Sequence, residues 1–118
     1  MAKGYQGPAD LLQRYDDLIA ANPTIKRSGA SMPYTSVNGH MFSFLDPSGR
    51  MSLRLSPDDR TAFMDRYDTV LSEQHGRVMK EYVVVPDALL QQVGDLSDWL
   101  IRSYQWVSGL KPKATTRP

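Results

Sequence analysis

Apolar residues follow helical spacing near both ends of the chain and alternate with polar residues in its middle. The first helical stretch runs from Pro8 to about Ala21, and one face of it collects Leu11, Leu12, Tyr15, Leu18 and Ile19. The last stretch runs from Gly94 to Gly109, and its inward positions are Leu96, Trp99, Leu100, Ser103, Tyr104 and Val107. These patterns predict an N-terminal and a C-terminal helix, and they place Trp99 in the core.

Turn signals divide the middle of the chain into short extended segments. They lie at Asn38–Gly39 and at Pro47–Gly49. The segments Tyr34–Val37, His40–Leu45 and Met51–Ser56 flank these turns, and the last of them alternates strictly between apolar and polar residues. The spacing predicts a meander of three antiparallel strands.

A second helix is predicted directly after the third strand. Ser56 is a favourable N-cap, and Pro57 suits the first helical position because proline there sacrifices no intrahelical hydrogen bond. The apolar stripe of this helix consists of Phe63, Met64 and Tyr67. The pattern leaves open whether the helix continues through Val70–Leu71.

The stretch EQHGRVMKEYVVVP contains one of the two histidines and then becomes apolar. We interpret Glu73–Arg77 as a loop and Val78–Val85 as a fourth strand whose burial increases toward its end. Pro86 ends this strand and opens a short helix over Ala88–Gln92.

Together the elements predict an α+β fold with two layers. An antiparallel sheet of about four to five strands carries the N-terminal and C-terminal helices on one face. Residues 1–110 form a single domain in this interpretation, and residues 111–118 form a flexible basic tail.

Composition narrows the possible chemistry. The formal net charge is +1, which gives no electrostatic signature of a duplex-binding protein and disfavours direct nucleic-acid binding. Lys26, Arg27 and the tail could supply only weak, salt-sensitive contacts. There is no cysteine, so disulfides and thiolate chemistry are excluded. No apolar run approaches the length of a membrane span, and we expect a cytoplasmic protein without membrane contact.

The two histidines, His40 and His75, are the candidate acid–base groups. Both neighbour turn signals, where exposure is the usual state. No metal-binding spacing, nucleophile elbow or phosphate-binding loop occurs, so the sequence predicts neither a cofactor nor a metal. Polar residues near strand ends form the candidate ligand or partner surface: Tyr34, Asn38, His40, Arg54, His75 and Lys80. If they converge, a small-ligand-binding protein or an enzyme with a polar cleft near His40 and His75 is the alternative function.

Three segments resemble the N-terminal domain of the TfoX/Sxy family. They read SVNGHMFSFLDPSGRMSLRLSPDDR, HGRVMKEYVVVPDALL and DLSDWLIRSYQWVSGLKPK. In that family an N-G turn leads into an M-F strand and then an L-R-L strand, followed later by an E-Y-V-x-V-P run and an L-x-x-W-L helix. The resemblance covers roughly residues 28–113.

The resemblance implies a two-layer α+β fold and a non-catalytic role. Family members of known role regulate natural competence together with a transcription activator, and they carry a second, C-terminal domain. We therefore expect a small binding or regulatory module that acts through an unknown protein partner. A homodimer formed through a sheet edge or the last helix stays open.

Overall fold

The computed structural model of the chain describes residues 4–29 and 31–111. The predicted tail therefore lies outside the described residues, except for Lys111. The elements follow one another as α1 (Ala9–Ala20), β1 (Arg27–Ser28), β2 (Tyr34–Val37), β3 (His40–Leu45), β4 (Met51–Arg54), α2 (Pro57–Tyr67), β5 (Leu71–Gln74), β6 (Arg77–Val85), α3 (Asp87–Leu90) and α4 (Val93–Ser108).

The strands form one antiparallel sheet in the order β1-β2-β3-β4-β6-β5. The predicted α+β class and the β2–β3–β4 meander are confirmed. The sheet has six strands, against the expected four to five, because β1 and β5 were not foreseen. Helices occupy both ends of the chain as predicted.

Local signals explain where several elements begin. The Asn38–Gly39 turn joins β2 to β3 with φ of 55° and 80°, which is the left-handed geometry of a two-residue hairpin turn. The Ser56 side chain accepts a hydrogen bond from the Asp59 N–H at 3.3 Å and so caps α2, as its sequence predicts. The helix ends at Tyr67 and Asp68 adopts φ of 51°, so it does not continue into Val70–Leu71.

One face of the sheet and the helices enclose the main core. Met51 and Leu53 of β4 share a face with Val83 and Val85 of β6, since side chains two apart on a strand point the same way. The helices bring fully or almost fully buried apolar side chains against this face: Tyr15, Leu18, Ile19, Phe63, Leu89, Leu90, Leu96, Leu100 and Val107. Their burial removes apolar surface from water, which is the main driving force for this packing.

A chain of three hydroxyl groups crosses this core. The Tyr15 hydroxyl of α1 lies 2.7 Å from Ser43 Oγ, and Thr35 Oγ1 lies 2.6 Å from the same oxygen. All three residues are fully buried. Burial raises the pKa of Tyr15 well above its ordinary value, although the hydrogen bonds from Ser43 and Thr35 oppose this effect.

The β5–β6 hairpin folds back across the opposite face of the sheet. Ser72 Oγ of β5 donates to Ser52 Oγ of β4 at 2.6 Å, although β6 separates these strands. Strands two apart in a flat sheet are about 10 Å apart, which two serine side chains cannot span. The pairing of β6 accordingly jumps from Val83, opposite Leu71, to Met79, opposite Ser72, so β6 bends between them.

This hairpin corrects the predicted loop at Glu73–Arg77. Glu73 and Gln74 belong to β5, Arg77 begins β6, and only His75–Gly76 forms the turn. The fourth predicted strand is confirmed as the main part of β6, and its burial increases from exposed Arg77 to buried Val85 as expected. Within residues 4–29 and 31–111, no helix is long and apolar enough to cross a membrane.

Candidate functional site

Three of the six predicted site residues lie together where β2, β3 and β4 meet the end of α4. Arg54 Nη1 is 3.5 Å from His40 Nδ1, and Arg54 Nε donates to Glu81 Oε1 at 2.7 Å. The guanidinium of Arg54 also lies 5.6 Å from the Trp106 ring centroid. Arg54 is thus held by a carboxylate and an aromatic ring, which fixes its position between the sheet and α4.

Asn38 binds the C-terminal end of α4, and His40 binds the segment that follows it. Asn38 Nδ2 donates to the Ser108 carbonyl at 2.8 Å, and His40 Nε2 lies 2.8 Å from the Lys111 carbonyl. The last carbonyls of a helix have no partner within the helix, so Asn38 supplies a donor that the helix end lacks. These hydrogen bonds give Asn38 and His40 a structural role in the fold.

The other three predicted residues lie elsewhere. Tyr34 pairs with Ser28 and Phe44, four residues along β3 from His40. Lys80 is exposed at the bend of β6. His75 lies in the exposed β5–β6 turn, as expected of a loop residue.

The six residues therefore do not line one cleft. Strand β5 runs from Ser72, beside Ser52, to Gln74, whose Nε2 donates to Asp46 Oδ2 at 3.0 Å. Since Asp46 follows the end of β3 and His40 begins β3, His75 lies toward the far end of that strand from His40. Within residues 4–29 and 31–111, the structure therefore does not bring His40 and His75 together at one cleft.

Of the two basic residues considered for weak nucleic-acid contact, Lys26 is exposed and Arg27 is bound within the fold. Arg27 Nε donates to Asp16 Oδ1 at 2.5 Å, and Arg27 Nη1 donates to the Gly29 carbonyl at 2.6 Å. Its charge is thus compensated by α1. In the described part of the chain, no three His, Cys, Asp or Glu side chains are grouped so that they could hold a metal ion.

A different group of side chains forms an open groove between α2 and α4. The groove has a volume of about 320 Å³ and is lined by Arg66, Tyr67, Asp95, Asp98, Trp99 and Arg102. We call it the Trp99 groove. Its floor is rigid, because Trp99 Nε1 donates to the Tyr67 hydroxyl at 3.1 Å and the Trp99 ring stands edge-on to buried Phe63 at 5.1 Å between centroids.

Two arginines lie over this aromatic floor. The guanidinium of Arg66 is 5.3 Å from the Tyr67 ring centroid, and that of Arg102 is 5.6 Å from the Trp99 centroid. Arg102 Nη1 also donates to Asp59 Oδ1 at 3.0 Å, which ties α4 to the first turn of α2. Stacking on a ring leaves the N–H groups along the edge of a guanidinium free to bind an acceptor.

The carboxylates of the groove lie along the N-terminal half of α4. Asp95 and Asp98 are three residues apart, so they share one face of the helix, and both are exposed. Among the described residues, neither forms an ion pair, and Arg66 forms none. The groove thus combines an aromatic floor with charges of both signs.

Trp99 corrects the sequence-based interpretation. Its helical spacing predicted a core residue, but it is only partly buried, because its ring packs on Phe63 and Tyr67 and also lines the open groove. The sequence signal that could have revealed the groove is the spacing of Asp95, Asp98 and Arg102. These charged residues follow one helix face directly beside Trp99.

A second groove lies between the end of α1 and α4. It has a volume of about 300 Å³ and is lined mainly by apolar atoms of Ala21, Asn22, Pro23, Thr24, Ile25, Ile101, Tyr104 and Gln105. Ile101 is 39% exposed there, which is unusual for a large apolar side chain on a helix that packs against a core. This groove carries no charged side chain.

Comparison with known proteins identified no relative: no family model, no curated protein and no solved structure matches this chain.

Proposed function

We propose that this protein is a small non-catalytic binding or regulatory module of the TfoX N-terminal type that acts through protein contacts at the Trp99 groove. The observation that carries the proposal is the partly exposed Trp99–Tyr67 pair, which lies between Arg66 and Arg102 in an open groove. The role in transcription or competence regulation is taken from the resemblance and is part of the proposal.

The composition of the groove favours a protein partner. Tryptophan, tyrosine and arginine are the residues most enriched among those that dominate binding energy at protein interfaces. Here they occur together and are partly exposed. Partner residues that fill the groove would gain apolar contact with the floor and polar contact with its rim.

The groove is also organised before any partner binds. Trp99 is fixed by the Tyr67 hydroxyl and by Phe63, and Arg102 is fixed by Asp59 and by the Trp99 ring. Side chains that are already ordered lose little conformational entropy on binding, which strengthens association.

The positions of the family-like residues are consistent with this type of module. The N-G pair forms the β2–β3 turn, and Pro86 precedes α3. The tryptophan of the L-x-x-W-L segment is Trp99 itself. The segments of the resemblance thus support both the turns of the fold and the floor of the groove.

Site-specific photo-crosslinking in intact cells tests the proposal. A photoreactive amino acid replaces Asp65, which precedes Arg66, in one variant and Gly94, which precedes Asp95, in another. Both positions are exposed neighbours of groove residues, so the groove side chains themselves stay intact. A matched control carries the photoreactive amino acid at Val78, which is 56% exposed on β6. The expected result is a discrete protein adduct from both groove positions and none from Val78. No adduct from the groove positions, or the same adducts from all three, would overturn the proposal.

A further inference from the structure

The Trp99 groove carries opposite charges on its two sides. Arg66 lies in the last turn of α2, and Asp95 and Asp98 lie in the first two turns of α4. All three side chains are exposed, and none forms an ion pair within the described residues. The α4 side also carries Arg102, but Arg102 is paired with Asp59. One side of the groove therefore offers a guanidinium without a bound carboxylate, and the other offers two carboxylates without a bound cation.

A surface of this kind is complementary to itself. When two identical surfaces meet across a two-fold axis, each residue pairs with a different residue of the other copy, and the same pair forms twice. Arg66 of one copy then faces Asp95 and Asp98 of the other, and the reverse pair forms on the far side of the axis. A guanidinium can bind a carboxylate through two parallel hydrogen bonds, which gives such a pair defined geometry.

The shape of the groove suits an exchanged arginine. A concave groove against an identical concave groove would leave a void, unless a projecting side chain fills each one. Arg66 is exposed and lies over its own Tyr67 ring, but no ion pair among the described residues holds it there, so it is free to turn outward. The groove of about 320 Å³ is open to solvent. Each copy can therefore insert its Arg66 into the groove of the other, above the aromatic floor.

We propose that the Trp99 groove binds a second copy of this chain, with Arg66 of each copy inserted between Asp95 and Asp98 of the other. This inference rests on the proposed function, since it names the protein that the groove contacts. The association is weak and sensitive to salt, because its charged pairs lie near solvent and are screened by ions.

Exchange of the two charges tests the inference. Arg66→Glu and Asp98→Arg are prepared separately and together, and their association is measured by sedimentation velocity over a series of protein concentrations at low salt. Each single variant faces like charge with like charge across the axis. We expect its association constant to fall at least about tenfold relative to the wild-type protein.

Combining the two substitutions should restore the association. In an equimolar mixture of Arg66→Glu and Asp98→Arg, both pairs across the axis again have opposite charges, and the double variant restores them in the same way. We expect both samples to associate as the wild-type protein does. Matched controls are Arg77→Glu and Glu73→Arg on the β5–β6 hairpin, which should associate normally. Circular dichroism verifies that every variant is folded.

A wild-type protein that stays monomeric at low salt, or single variants that associate normally, would overturn the inference. Failure of the mixture and of the double variant to recover would also overturn it. The crosslinking experiment tests the proposed function independently of self-association. A groove adduct with a different protein, together with a monomeric wild-type protein, removes self-association and leaves the binding module. An adduct of twice the chain mass supports both.

Discussion

The β2–β3 and β5–β6 hairpins both reverse the chain through two residues with positive φ, Asn38–Gly39 and His75–Gly76. The first turn is tied to α4 through Asn38 and the Ser108 carbonyl, and it leads into a strand whose last four residues are buried. The second turn is exposed, and a side chain added at Gly76 would meet nothing within 4 Å. The same local geometry thus serves a central element in one hairpin and an edge element in the other.

The comparison separates the effect of turn conformation from the effect of tertiary contacts. The backbone of the turn determines how the chain reverses, and the contacts around the hairpin determine how much it stabilises the domain. Substitutions at equivalent places in the two hairpins can therefore distinguish effects of conformation from effects of packing.

The largest contrast is expected between Phe42→Ala and Val78→Ala. Phe42 is fully buried on β3 against Tyr104 of α4, so its truncation should lower the free energy of unfolding by about 3–5 kcal/mol. Val78 is 56% exposed on β6, and its truncation should change that free energy by about 0.5 kcal/mol or less. Urea unfolding measures both. Similar losses in the two variants would refute the contrast, and Phe42→Leu gives a milder comparison if Phe42→Ala does not fold.

Asp46→Asn tests the residue that joins the two hairpins. Asp46 follows β3, and its carboxylate accepts hydrogen bonds from Ser48, from the Arg50 N–H and from Gln74 of β5. Replacing the carboxylate by an amide should lower the free energy of unfolding, measured in urea at neutral pH, by about 1–3 kcal/mol.

The stability of the protein should also depend on Asp46 in acid. Burial raises the pKa of Asp46, but hydrogen bonds from Ser48, Arg50 and Gln74 outweigh burial and hold the pKa below its ordinary value. Because the folded pKa is the lower one, the stabilisation is complete above the unfolded pKa of about 3.9 and is lost as pH falls through the folded pKa. Unfolding measured against pH should show this loss in the wild-type protein and a flatter curve in Asp46→Asn. Identical curves would contradict the assignment.

Gly76→Ala isolates the conformational requirement of the exposed turn. The added methyl group meets no neighbour, yet φ is 76°, so the left-handed backbone alone should cost about 1–2 kcal/mol. Gly94 also has open space around it but lies in α4, where alanine should give a small gain in stability. Thermal unfolding should therefore shift in opposite directions for the two variants, and a loss of equal size in both would be inconsistent with this explanation.

Asn38→Asp and Asn38→Gly measure the tie between the central turn and α4. Both residues tolerate a left-handed backbone, but neither side chain can donate to the Ser108 carbonyl. The expected loss is about 1 kcal/mol, with faster amide hydrogen exchange in the last turn of α4. Unchanged exchange in both variants would mean that the bond does not hold the helix end.

The smallest effect is expected from His75→Asn, which gives the exposed turn the residue pair of the central one. Asparagine adopts the left-handed conformation more readily than histidine, so a gain of about 0.5 kcal/mol or less is expected. Chemical denaturation with replicate measurements can resolve it. A loss of stability would indicate that His75 makes a contact that the exposed turn does not show.

The central hairpin could be predicted from sequence and the edge hairpin could not. The Asn38–Gly39 pair lies between two strands with strong apolar content, so a short window contains all the information. In β5 only Leu71 is apolar, and buried Ser72 binds Ser52, twenty residues earlier in the chain. No local pattern records such a partner.

The candidate site likewise has a part that local sequence indicates and a part that it does not. Polar character near strand ends suggested a set of six residues, and the structure brings only Asn38, His40 and Arg54 of that set together. The Trp99 groove depends on where α2 ends relative to α4, which is a property of helix packing. Helical spacing alone placed Trp99 in the core and left Arg66 without any distinguishing signal.

The buried hydrogen-bonded hydroxyl groups of Tyr15, Ser43 and Thr35 fix the position of α1 on the sheet. An amphipathic helix held only by apolar contacts can rotate or slide by a turn and still bury a similar surface. Such a shift here would leave the Tyr15 hydroxyl and its partners without hydrogen bonds inside the protein, which is costly for buried polar groups. The buried hydrogen bonds therefore disfavour other positions of α1. The helix has one defined position on the sheet, where apolar packing alone would permit several.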